Sequence, residues 1–370
     1  MDVTLCLTHA CNLACAYCYA GRKSGRHMSW EIARRALDFS FDQTLRQARL
    51  LGSPPAVQLG FFGGEPLLRW PLMKRATLYA ENEAARLGIR LAKTVTTNMT
   101  LLDEARVGWL KAHTFHVGLS LDGNAAMHDT LRRYRNGRGS HEACAKALAF
   151  FAGPEAGAEV IVVADPRNVA HLAESVEWLM ARDIRRISLN PNFYIDWPKS
   201  ALMLWRKGYD RVAGLYVDRY RAGQPVKVNV IDGKIRVRVK EGYEACDRCG
   251  FGEKEIAVAP GGNLYPCERV VGDDTRAELR IGNVFDGFDS GRRGRILASR
   301  GSRTAACQDC GLRERCMNWC CCINHATTGA IDQVAGIVCF HERLAIAAAD
   351  RAAETLYAER NPAFMAAFYG

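Results

Sequence analysis

Short runs rich in β-branched residues alternate with longer segments of helical periodicity through the first half of this chain. Six runs are candidate strands, at residues 2–8, 56–62, 92–98, 115–121, 159–165 and 185–191. Between the first two, apolar residues recur at helical spacing, and Ser29 is a suitable N-cap for that helix. The alternation predicts an α/β fold with βα repeats around a parallel sheet, and six units fit an open, partial (β/α)6 TIM-type barrel. In such folds, chemistry gathers at the C-terminal ends of the strands.

The second half of the chain has a different character. An aromatic-rich helical segment covers residues 196–222, and VKVNVIDGKIRVRV (226–239) predicts further strands. A glycine- and cysteine-rich region follows, and an alanine-rich segment at 341–359 predicts a closing helix. We therefore expect three parts, namely a partial barrel over 1–225, a cysteine-rich domain over 226–340 and a C-terminal helical segment over 341–370.

Size and charge exclude several classes of protein. The chain has 370 residues, 48% of them hydrophobic, which is enough for a substantial core. No run reaches the roughly 20 apolar residues of a membrane helix, and the N-terminus lacks the pattern of a signal peptide. The net charge of +10 comes from Arg and Lys scattered among Glu and Asp. We expect a cytoplasmic protein with no membrane or nucleic-acid partner.

The fifteen cysteines fall mainly into two groups, with three at residues 11–18 and ten at 246–339. Disulfides persist mainly in oxidising compartments and chiefly connect small domains. In a chain of this size without a signal peptide, grouped cysteines more often bind metal. The remaining two, Cys6 and Cys144, are most simply buried small hydrophobic residues.

The first group lies on a loop directly after the first strand, with Cys11, Cys15 and Cys18 at CxxxCxxC spacing. Four ligands close a structural zinc site, and no fourth Cys or His follows at matching spacing. Three thiolates can hold three irons of a [4Fe–4S] cluster and leave the fourth iron open to a substrate or cofactor. Zinc binding, or thiols without a metal, are the alternatives.

The CxxxCxxC spacing, with the aromatic Tyr17 before the last cysteine, resembles the signature of radical S-adenosylmethionine (SAM) enzymes. The resemblance implies that the open iron binds SAM and that a 5′-deoxyadenosyl radical forms. FFGGEP (61–66), after the second strand, resembles the loop that holds the methionine amino group of SAM. There Gly63 and Gly64 let the backbone approach a ligand, and Glu65 can accept from an ammonium through its side chain or its carbonyl.

Further matches follow at the ends of the third and fourth strands. Met99 stands where the family commonly has glycine. By resemblance, GLSLDG contacts the ribose, and the arginine of HDTLR pairs with the SAM carboxylate. The SAM-binding positions implied here are Thr97 and Asn98 of TTN, Ser120 and Asp122 of GLSLDG, and Arg132 of HDTLR.

The second group of cysteines resembles the SPASM domain, which carries two auxiliary [4Fe–4S] clusters in one branch of this family. Three clusters in total are therefore implied, although two zinc ions could use the same downstream ligands. The implied ligands are Cys246, Cys249, Cys267 and Cys320 for auxiliary cluster I, and Cys307, Cys310, Cys316 and Cys339 for auxiliary cluster II. Cys321 and Cys322 extend Cys320 to a triple, so the choice of ligand there stays open.

SPASM proteins mostly modify peptides or proteins, which implies an oxidoreductase that abstracts hydrogen from a substrate carbon. Glu268, directly after Cys267, is the candidate base, because sulfatase maturases carry a catalytic Asp at the equivalent place. The alternative for this residue is a surface Glu paired with Arg269. The favoured interpretation is maturation of a ribosomally made peptide by a cross-link, a thioether or an oxidised side chain.

Two alternatives remain at the level of sequence. One is an anaerobic sulfatase-maturing enzyme, which forms formylglycine from Ser or Cys. The other is a non-catalytic iron–sulfur or zinc binding module. The ten residues before Cys11 are too few for a leader-peptide-binding domain, so we expect a separate recognition protein or direct binding on the barrel. An electron donor such as flavodoxin or ferredoxin is also implied.

Overall fold

The computed structural model describes residues 1–153, 156–244, 247–300 and 304–370. Within those ranges, no helix is both long enough and apolar enough to cross a membrane. The chain divides into two compact units, the first formed by residues 1–14, 18–118 and 250–300 and the second by 15–17, 119–249 and 301–370. Each unit is described by itself.

The secondary structure alternates strands and helices to the end of the sixth strand and is mainly helical at the C-terminus. The strands are β1 (Asp2–Thr8), β2 (Ala56–Gly63), β3 (Arg90–Thr97), β4 (Phe115–Ser120), β5 (Ala158–Ala164), β6 (Arg186–Pro191), β7 (Lys227–Val228), β8 (Glu255–Val258), β9 (Asn263–Tyr265), β10 (Gly282–Asn283) and β11 (Gly287–Phe288). The helices are α1 (Trp30–Leu51), α2 (Trp70–Leu87), α3 (Glu104–Ala112), α4 (Ala125–Leu131), α5 (His141–Leu148), α6 (Leu172–Met180), α7 (Lys199–Arg221), α8 (Asn229–Val239), α9 (Ser290–Ala298), α10 (Cys321–Thr328), α11 (Gly336–Ala358) and α12 (Pro362–Phe368).

The first unit is built on β1, which pairs in parallel with β2 on one side and with β8 on the other. Leu5 is fully buried and lies opposite Phe61 of β2 and Val258 of β8. β3 continues the parallel order beyond β2, and the short strands β9 to β11 add antiparallel pairs beyond β8. The C-terminal ends of β1, β2 and β3 therefore share one edge, which brings the segments after them together.

The second unit contains the parallel strands β5, β6 and β7 and a group of long helices. α11 packs against α7 and α8. Trp205, Tyr209 and Tyr216 of α7 are almost completely buried, and Trp205 stacks on Trp197 with ring centroids 4.2 Å apart. Large buried aromatic side chains contribute most of the apolar area that holds such a helical layer.

The six predicted strands are confirmed to within two residues at each end, and Ser29 caps α1 by accepting from the Ile32 backbone N–H at 3.2 Å. The strands predicted over 226–239 are wrong. After the two-residue β7, that segment forms α8, since its buried residues recur at helical rather than alternating spacing. Asp232, buried in the first turn, accepts from the Val228 backbone N–H at 2.6 Å and fixes the start of the helix. The three predicted domain limits stay a prediction.

Candidate active site

In the first unit, the GGEP loop packs directly on the backbone that leads into the cysteine loop. The Gly63 backbone has a φ of 127°, and a Cβ there would lie 2.4 Å from the Thr8 carbonyl oxygen. A Cβ on Gly64 would lie 2.0 Å from the Ala10 carbonyl oxygen. The Gly64 N–H donates to the Thr8 carbonyl at 2.7 Å. Both glycines are therefore required by close backbone approach rather than by a turn alone.

The Glu65 carboxylate is buried and holds the ends of two strands together. Its oxygens accept from the Thr97 hydroxyl at 2.8 Å, the Asn98 N–H at 2.7 Å and the Leu67 N–H at 3.0 Å. These bonds use most of the carboxylate's accepting capacity. The Glu65 side chain is thus a positioning group, and its backbone carbonyl is the better candidate for contact with an ammonium.

Asn98 connects this network to the cysteine loop. Its amide nitrogen donates to the Asn12 side-chain oxygen at 2.9 Å and lies 3.6 Å from the Cys11 Sγ. Burial raises the pKa of Cys11, against the lowering effect of the Leu13 N–H bond to its sulfur. Cys18 is exposed, and the Lys23 ammonium donates to its Sγ at 3.0 Å. Two of the three predicted cluster thiols therefore have a donor group beside the sulfur.

Met99 follows Asn98 in an unusual backbone conformation. Its φ is 68°, in the left-handed region that favours glycine, and its side chain is fully buried. The family commonly has glycine at this position, and the left-handed backbone conformation explains that preference. Packing of the Met99 side chain offsets a conformational cost of about 1 kcal/mol.

In the second unit, Tyr17, Asp122 and Arg132 form a buried polar cluster. The Tyr17 hydroxyl donates to Asp122 Oδ2 at 2.6 Å and accepts from Arg132 Nη1 at 2.7 Å. Burial raises the pKa of Asp122 to about 6, although the Arg132 guanidinium and the Tyr17 hydroxyl both lower it. The Arg132 Nε lies buried without a hydrogen-bond partner among the described residues. Such a donor is suited to a carboxylate ligand.

A histidine relay that sequence reasoning missed fixes the backbone on both sides of this cluster. His128 Nδ1 accepts from the Asp122 N–H at 3.2 Å, and Nε2 donates to the Ser140 hydroxyl at 2.9 Å. The Ser140 hydroxyl in turn donates to the Arg132 carbonyl at 2.8 Å, which sets the neutral tautomer. Burial, assisted by Arg132, lowers the pKa of His128 to about 2. The His-Asp pair three residues before Arg132 was the sequence signal that could have indicated His128. No sequence pattern indicated Ser140.

Two other residues of the predicted site lie next to this cluster in the chain. Ser120 ends β4 and is half-buried. Cys15 lies beside Tyr17 and Arg132, where its charge acts on both groups. The Ala16 N–H donates to the Leu131 carbonyl at 2.9 Å and ties the cysteine loop to α4. Tyr17 is therefore positioned by the loop backbone as well as by its own hydroxyl.

Among the four cysteines predicted for auxiliary cluster II, Cys339 interacts electrostatically with each of the other three. Cys307 and Cys316 are buried, and Cys310 and Cys339 are half-buried. Burial raises the pKa of Cys339, with further contributions from the neighbouring Cys307 and Cys310. Burial likewise raises the pKa of Cys316, which also interacts with Cys339. Four thiols, of which three interact with Cys339, are a suitable donor set for a closed iron–sulfur cluster.

A buried ion pair supports the segment that carries Cys316. Lys234 of α8 donates to Glu342 of α11 at 2.6 Å, and these side chains are 6% and 2% exposed. Lys234 also donates to the Arg315 carbonyl at 3.0 Å, and the Met317 N–H donates to Glu342 at 2.7 Å. Lys234 therefore fixes the backbone before Cys316, and Glu342 fixes the backbone after it. Neither Lys234 nor Glu342 was singled out by the sequence.

The residues predicted for auxiliary cluster I are described only in part. Cys246 lies outside the described residues. Cys249 is half-buried in the second unit, and Cys320 precedes α10 with its Sγ 3.6 Å from the Cys322 Sγ. Cys267 is buried in the first unit after β9. Which cysteine of the 320–322 triple serves as a ligand stays open.

The candidate base Glu268 lies beside Cys267 in the first unit. Its Oε2 is 3.5 Å from the Cys267 Sγ, and ligand atoms of Glu255, Cys267 and Glu268 lie within 4.8 Å of one another. The Arg269 guanidinium lies over the Tyr19 ring, 5.6 Å from its centroid. Glu268 itself is half-buried and lies next to Cys267, a predicted cluster ligand.

The comparison with protein families gives one match on this region. The model of the radical SAM superfamily matches residues 5–179. That segment contains the cysteine loop, the GGEP loop and the Tyr17–Asp122–Arg132 cluster. Residues 5–179 form the radical SAM domain of an enzyme.

Two curated relatives are similar to larger parts of this chain. An uncharacterised protein of Methanocaldococcus jannaschii is 30% identical over 184 residues, which are 50% of this chain and 60% of that protein. The serine-type anaerobic sulfatase-maturating enzyme of Klebsiella aerogenes is 24% identical over 335 residues, covering 84% of this chain and 77% of that enzyme. The second relationship extends through the cysteine-rich region.

Solved structures share the fold. The structure of native anSMEcpe with bound AdoMet matches with a TM-score of 0.77 and 16% identity, over 96% of this chain and 98% of that chain. Streptococcus suis SuiB bound to precursor peptide SuiA matches with a TM-score of 0.57 and 18% identity, over 91% and 75% of the two chains. The predicted fold class, an α/β partial barrel with a C-terminal SPASM domain, is confirmed.

The donor groups of the radical SAM domain fit the cofactors of that superfamily, a [4Fe–4S] cluster and SAM. The thiols of the 11–18 loop are soft ligands, and Cys11 and Cys18 each have a hydrogen-bond donor beside the sulfur. The unpartnered Nε of Arg132 offers a charged donor for a carboxylate. The prediction of these cofactors is confirmed at the level of the family.

Proposed function

We propose that this radical SAM enzyme is a SPASM-type maturase that modifies a residue of a ribosomally made peptide. The observation that carries the proposal is the complete set of predicted SAM-side groups at the strand ends, together with four interacting cysteines for an auxiliary cluster. A binding module without catalysis has no need of the Tyr17–Asp122–Arg132 cluster beside the cysteine loop.

On the SAM side, Cys11, Cys15 and Cys18 hold the cluster in this proposal, and its fourth iron is left for SAM. When bound, the cluster and SAM supply a 5′-deoxyadenosyl radical that abstracts hydrogen from the substrate. The remaining residues bind and orient SAM. Those proposed to do so are Tyr17, Gly63, Gly64, Glu65, Thr97, Asn98, Ser120, Asp122 and Arg132.

Within that set, the side chains have different tasks. Glu65 and Thr97 fix the GGEP loop against the end of β3, so that backbone carbonyls face the SAM amino group. Arg132 pairs with the SAM carboxylate, while the Tyr17 hydroxyl holds one side of the guanidinium. Charge-assisted pairing in a buried site is stronger than in water, which favours tight positioning of SAM.

On the auxiliary side, Glu268 is proposed as the catalytic base that accepts a proton from the substrate radical. Its position beside Cys267 supports this role, since loss of the substrate proton accompanies electron transfer to an acceptor nearby. The proposed ligands are Cys246, Cys249, Cys267 and Cys320 for auxiliary cluster I, and Cys307, Cys310, Cys316 and Cys339 for auxiliary cluster II. The proposal includes an electron donor such as flavodoxin or ferredoxin and a separate leader-peptide recognition protein.

The second candidate function is maturation of sulfatases by formylglycine formation. The relationship to the Klebsiella aerogenes enzyme over 84% of this chain favours it. Against it stands Glu268, where that group of enzymes carries Asp, and the Cys320–Cys322 triple. The peptide bound in the SuiB structure shows that the shared fold accepts a precursor peptide in that protein.

Anaerobic purification followed by iron and sulfide analysis tests the proposal. We expect about twelve irons per chain for three [4Fe–4S] clusters, and formation of 5′-deoxyadenosine from SAM in the presence of a reductant. Cys15→Ala should abolish cleavage, whereas the control Cys144→Ala removes a buried thiol outside the proposed ligand sets and should retain it. Bound zinc, or SAM cleavage by the Cys15→Ala variant, would contradict the proposal.

A further inference from the structure

A large cavity in the second unit has no role in the SAM-side chemistry described above. Its volume is about 1020 Å³, and it opens beside the loop after β6. The lining comes from that loop, from the start of α7, and from α10 and α11, and its main side chains are Phe193, Ile195, Trp197, Leu202, Ile337 and Phe340. We propose that this cavity binds the substrate peptide through a large apolar side chain with a basic neighbour, an inference that rests on the proposed maturase function.

The walls of the cavity are preformed and aromatic. The Trp197 indole N–H donates to the Asn192 carbonyl at 2.9 Å, and its ring stacks on the buried Trp205. Phe340 contacts the other side of Trp205, with ring centroids 5.7 Å apart. A rigid apolar wall binds a side chain at a lower entropic cost than a mobile one.

The outer part of the cavity leaves large apolar groups in solvent. Tyr194 is 40% exposed and Ile195 is 37% exposed, on the same loop. A group of exposed apolar side chains beside a concave surface marks a binding site. The volume lies at the upper end of the range for ligand sites, which suits more than one residue of a peptide.

The position of the cavity connects it to the proposed SAM side within the same unit. Asp122 Oδ1 accepts from the Val163 N–H of β5 at 2.8 Å. Asp165, just after β5, accepts from the Asn192 side chain at 2.8 Å, and the Asn192 carbonyl accepts from Trp197. Hydrogen bonds at consecutive strand ends therefore lead from the SAM-contacting Asp122 to the cavity wall.

The other wall adjoins the proposed auxiliary side. Ile337 and Phe340 line the cavity from α11, and Cys339, a proposed ligand of auxiliary cluster II, lies between them in the helix. A substrate of the proposed reaction loses hydrogen on the SAM side and an electron on the auxiliary side. A cavity whose wall is connected by hydrogen bonds to Asp122, and whose lining residues flank Cys339 in the chain, is the place that we expect such a substrate to occupy.

The chemistry of the lining defines the class of occupant. Among the lining residues, Asp196 alone is charged, and it is exposed at the opening. An isolated carboxylate beside an aromatic wall complements a Lys or Arg that follows or precedes a large apolar residue. The expected occupant is therefore a peptide segment in which a Phe, Tyr, Trp, Leu or Ile is adjacent to a basic residue.

Photo-crosslinking of the reconstituted holoenzyme tests this assignment. The probe is the peptide Gly-Lys-X-Gly-Ser with X as p-benzoylphenylalanine, and the competitors carry Leu or Ala at X. We expect crosslinks within residues 193–202 or 326–340, and about tenfold better competition by Leu than by Ala, since a leucine side chain is buried on binding. Asp196→Lys should remove the preference for Lys over Glu at the second position of the probe.

Two adjacent residues of α7 provide a matched pair of variants. Leu202 lines the cavity, whereas Met203 is 63% exposed and does not. Leu202→Glu should lower crosslinking about tenfold, and Met203→Glu should leave it unchanged. Equal effects of the two substitutions, crosslinks elsewhere, or self-association of the chain that Leu202→Glu abolishes would overturn the assignment.

The same preparation separates this inference from the proposed function. Iron content and 5′-deoxyadenosine formation are measured on each variant. A protein that cleaves SAM but crosslinks outside the cavity contradicts only the cavity assignment. A protein that crosslinks in the cavity but contains no iron and cleaves no SAM contradicts only the maturase function.

Discussion

The proposed SAM contacts of the two units are assembled by different physical means. In the first unit, Gly63 and Gly64 allow backbone to lie on backbone, and Glu65 joins two strand ends by hydrogen bonds. In the second unit, the groups are Asp122 and Arg132, buried charges joined through a tyrosine. We therefore expect the contacts of the first unit to be disrupted by added side-chain volume, and those of the second unit to be disrupted by changes in charge and pH.

The largest effect is expected where backbone contacts backbone. Gly64→Ala places a Cβ 2.0 Å from the Ala10 carbonyl oxygen, and no flexible side chain is available to move aside. The cysteine loop must shift, and we expect loss of the SAM-binding cluster, measured as about four fewer irons per chain. Gly108→Ala in α3 is the control, because a Cβ there meets open space and should be neutral or stabilising. Full iron content in Gly64→Ala would show that the loop tolerates displacement.

The second prediction concerns the hydroxyl that joins the buried charges. Tyr17→Phe removes the donor to Asp122 Oδ2 and the acceptor for Arg132 Nη1, at a cost of about 1 to 3 kcal/mol in the free energy of unfolding. The affinity for SAM should also fall, because the guanidinium is no longer held in place. Tyr79→Phe is the matched control. It removes a hydrogen bond from the Tyr79 hydroxyl on α2 to the half-exposed Asp38 carboxylate on α1. Equal effects of the two substitutions on SAM affinity would contradict the positioning role of Tyr17.

The third prediction is a pH dependence of opposite sign at two buried residues. The folded-state pKa of His128, about 2, lies below the unfolded value of 6.5, so its contribution to stability is lost as pH falls. The folded-state pKa of Asp122, about 6, lies above the unfolded value of 3.8, so its contribution rises as pH falls. Between pH 7 and 5 these contributions change by about 2 and about 1 kcal/mol in opposite directions, so about 1 kcal/mol of stability is lost on balance.

Denaturant titrations at pH 7 and pH 5 separate the two groups. His128→Gln should become more stable on acidification relative to the unsubstituted protein, and Asp122→Asn should become less stable. The first unit supplies the control, because Thr77→Val removes a hydrogen bond between two neutral groups, the Thr77 hydroxyl and the Met73 carbonyl, and should leave the pH dependence unchanged. Changes of the same sign in both variants would show that the two residues are not independent sources of the pH dependence.

The smallest expected effect is at Met99. Alanine normally stabilises a folded chain relative to glycine, but the φ of 68° reverses the order here. Both Met99→Gly and Met99→Ala lose the buried side chain, and Met99→Gly should be the more stable of the two by about 1 kcal/mol. Thermal unfolding of the two variants measures the difference. A more stable alanine variant would mean that the backbone at this residue relaxes.

Local patterns were enough to predict the strands and the cysteine loop. Each predicted strand is a short apolar run whose position depends on its own residues, and CxxxCxxC spacing is local by definition. The segment 226–239 failed because its β-branched residues favour a strand, whereas packing of α8 against α11 requires a helix. Tertiary burial prevailed over local propensity there.

Contacts distant in sequence could not be predicted in the same way. The sequence left open whether Glu65 accepts from an ammonium through its side chain or its carbonyl, and it gave no sign that the carboxylate bonds to Thr97 and Asn98 at the end of another strand. The link from His128 in α4 to Ser140 depends on where α5 begins relative to α4, which no local pattern defines. In the sequence, such residues cannot be distinguished from polar residues on the protein surface, because their hydrogen-bond partners are distant in the chain.

The Lys234–Glu342 pair has a consequence for the order in which the protein matures. It fixes the backbone at Arg315 and Met317 through groups of α8 and α11, independently of any metal. The segment carrying Cys316 is thus anchored in the newly folded chain before iron and sulfide arrive. Part of the conformational entropy that cluster assembly would cost is therefore lost already during folding. We expect iron to bind first at the Cys316 thiol, which is already in position, and the other three thiols to bind afterwards.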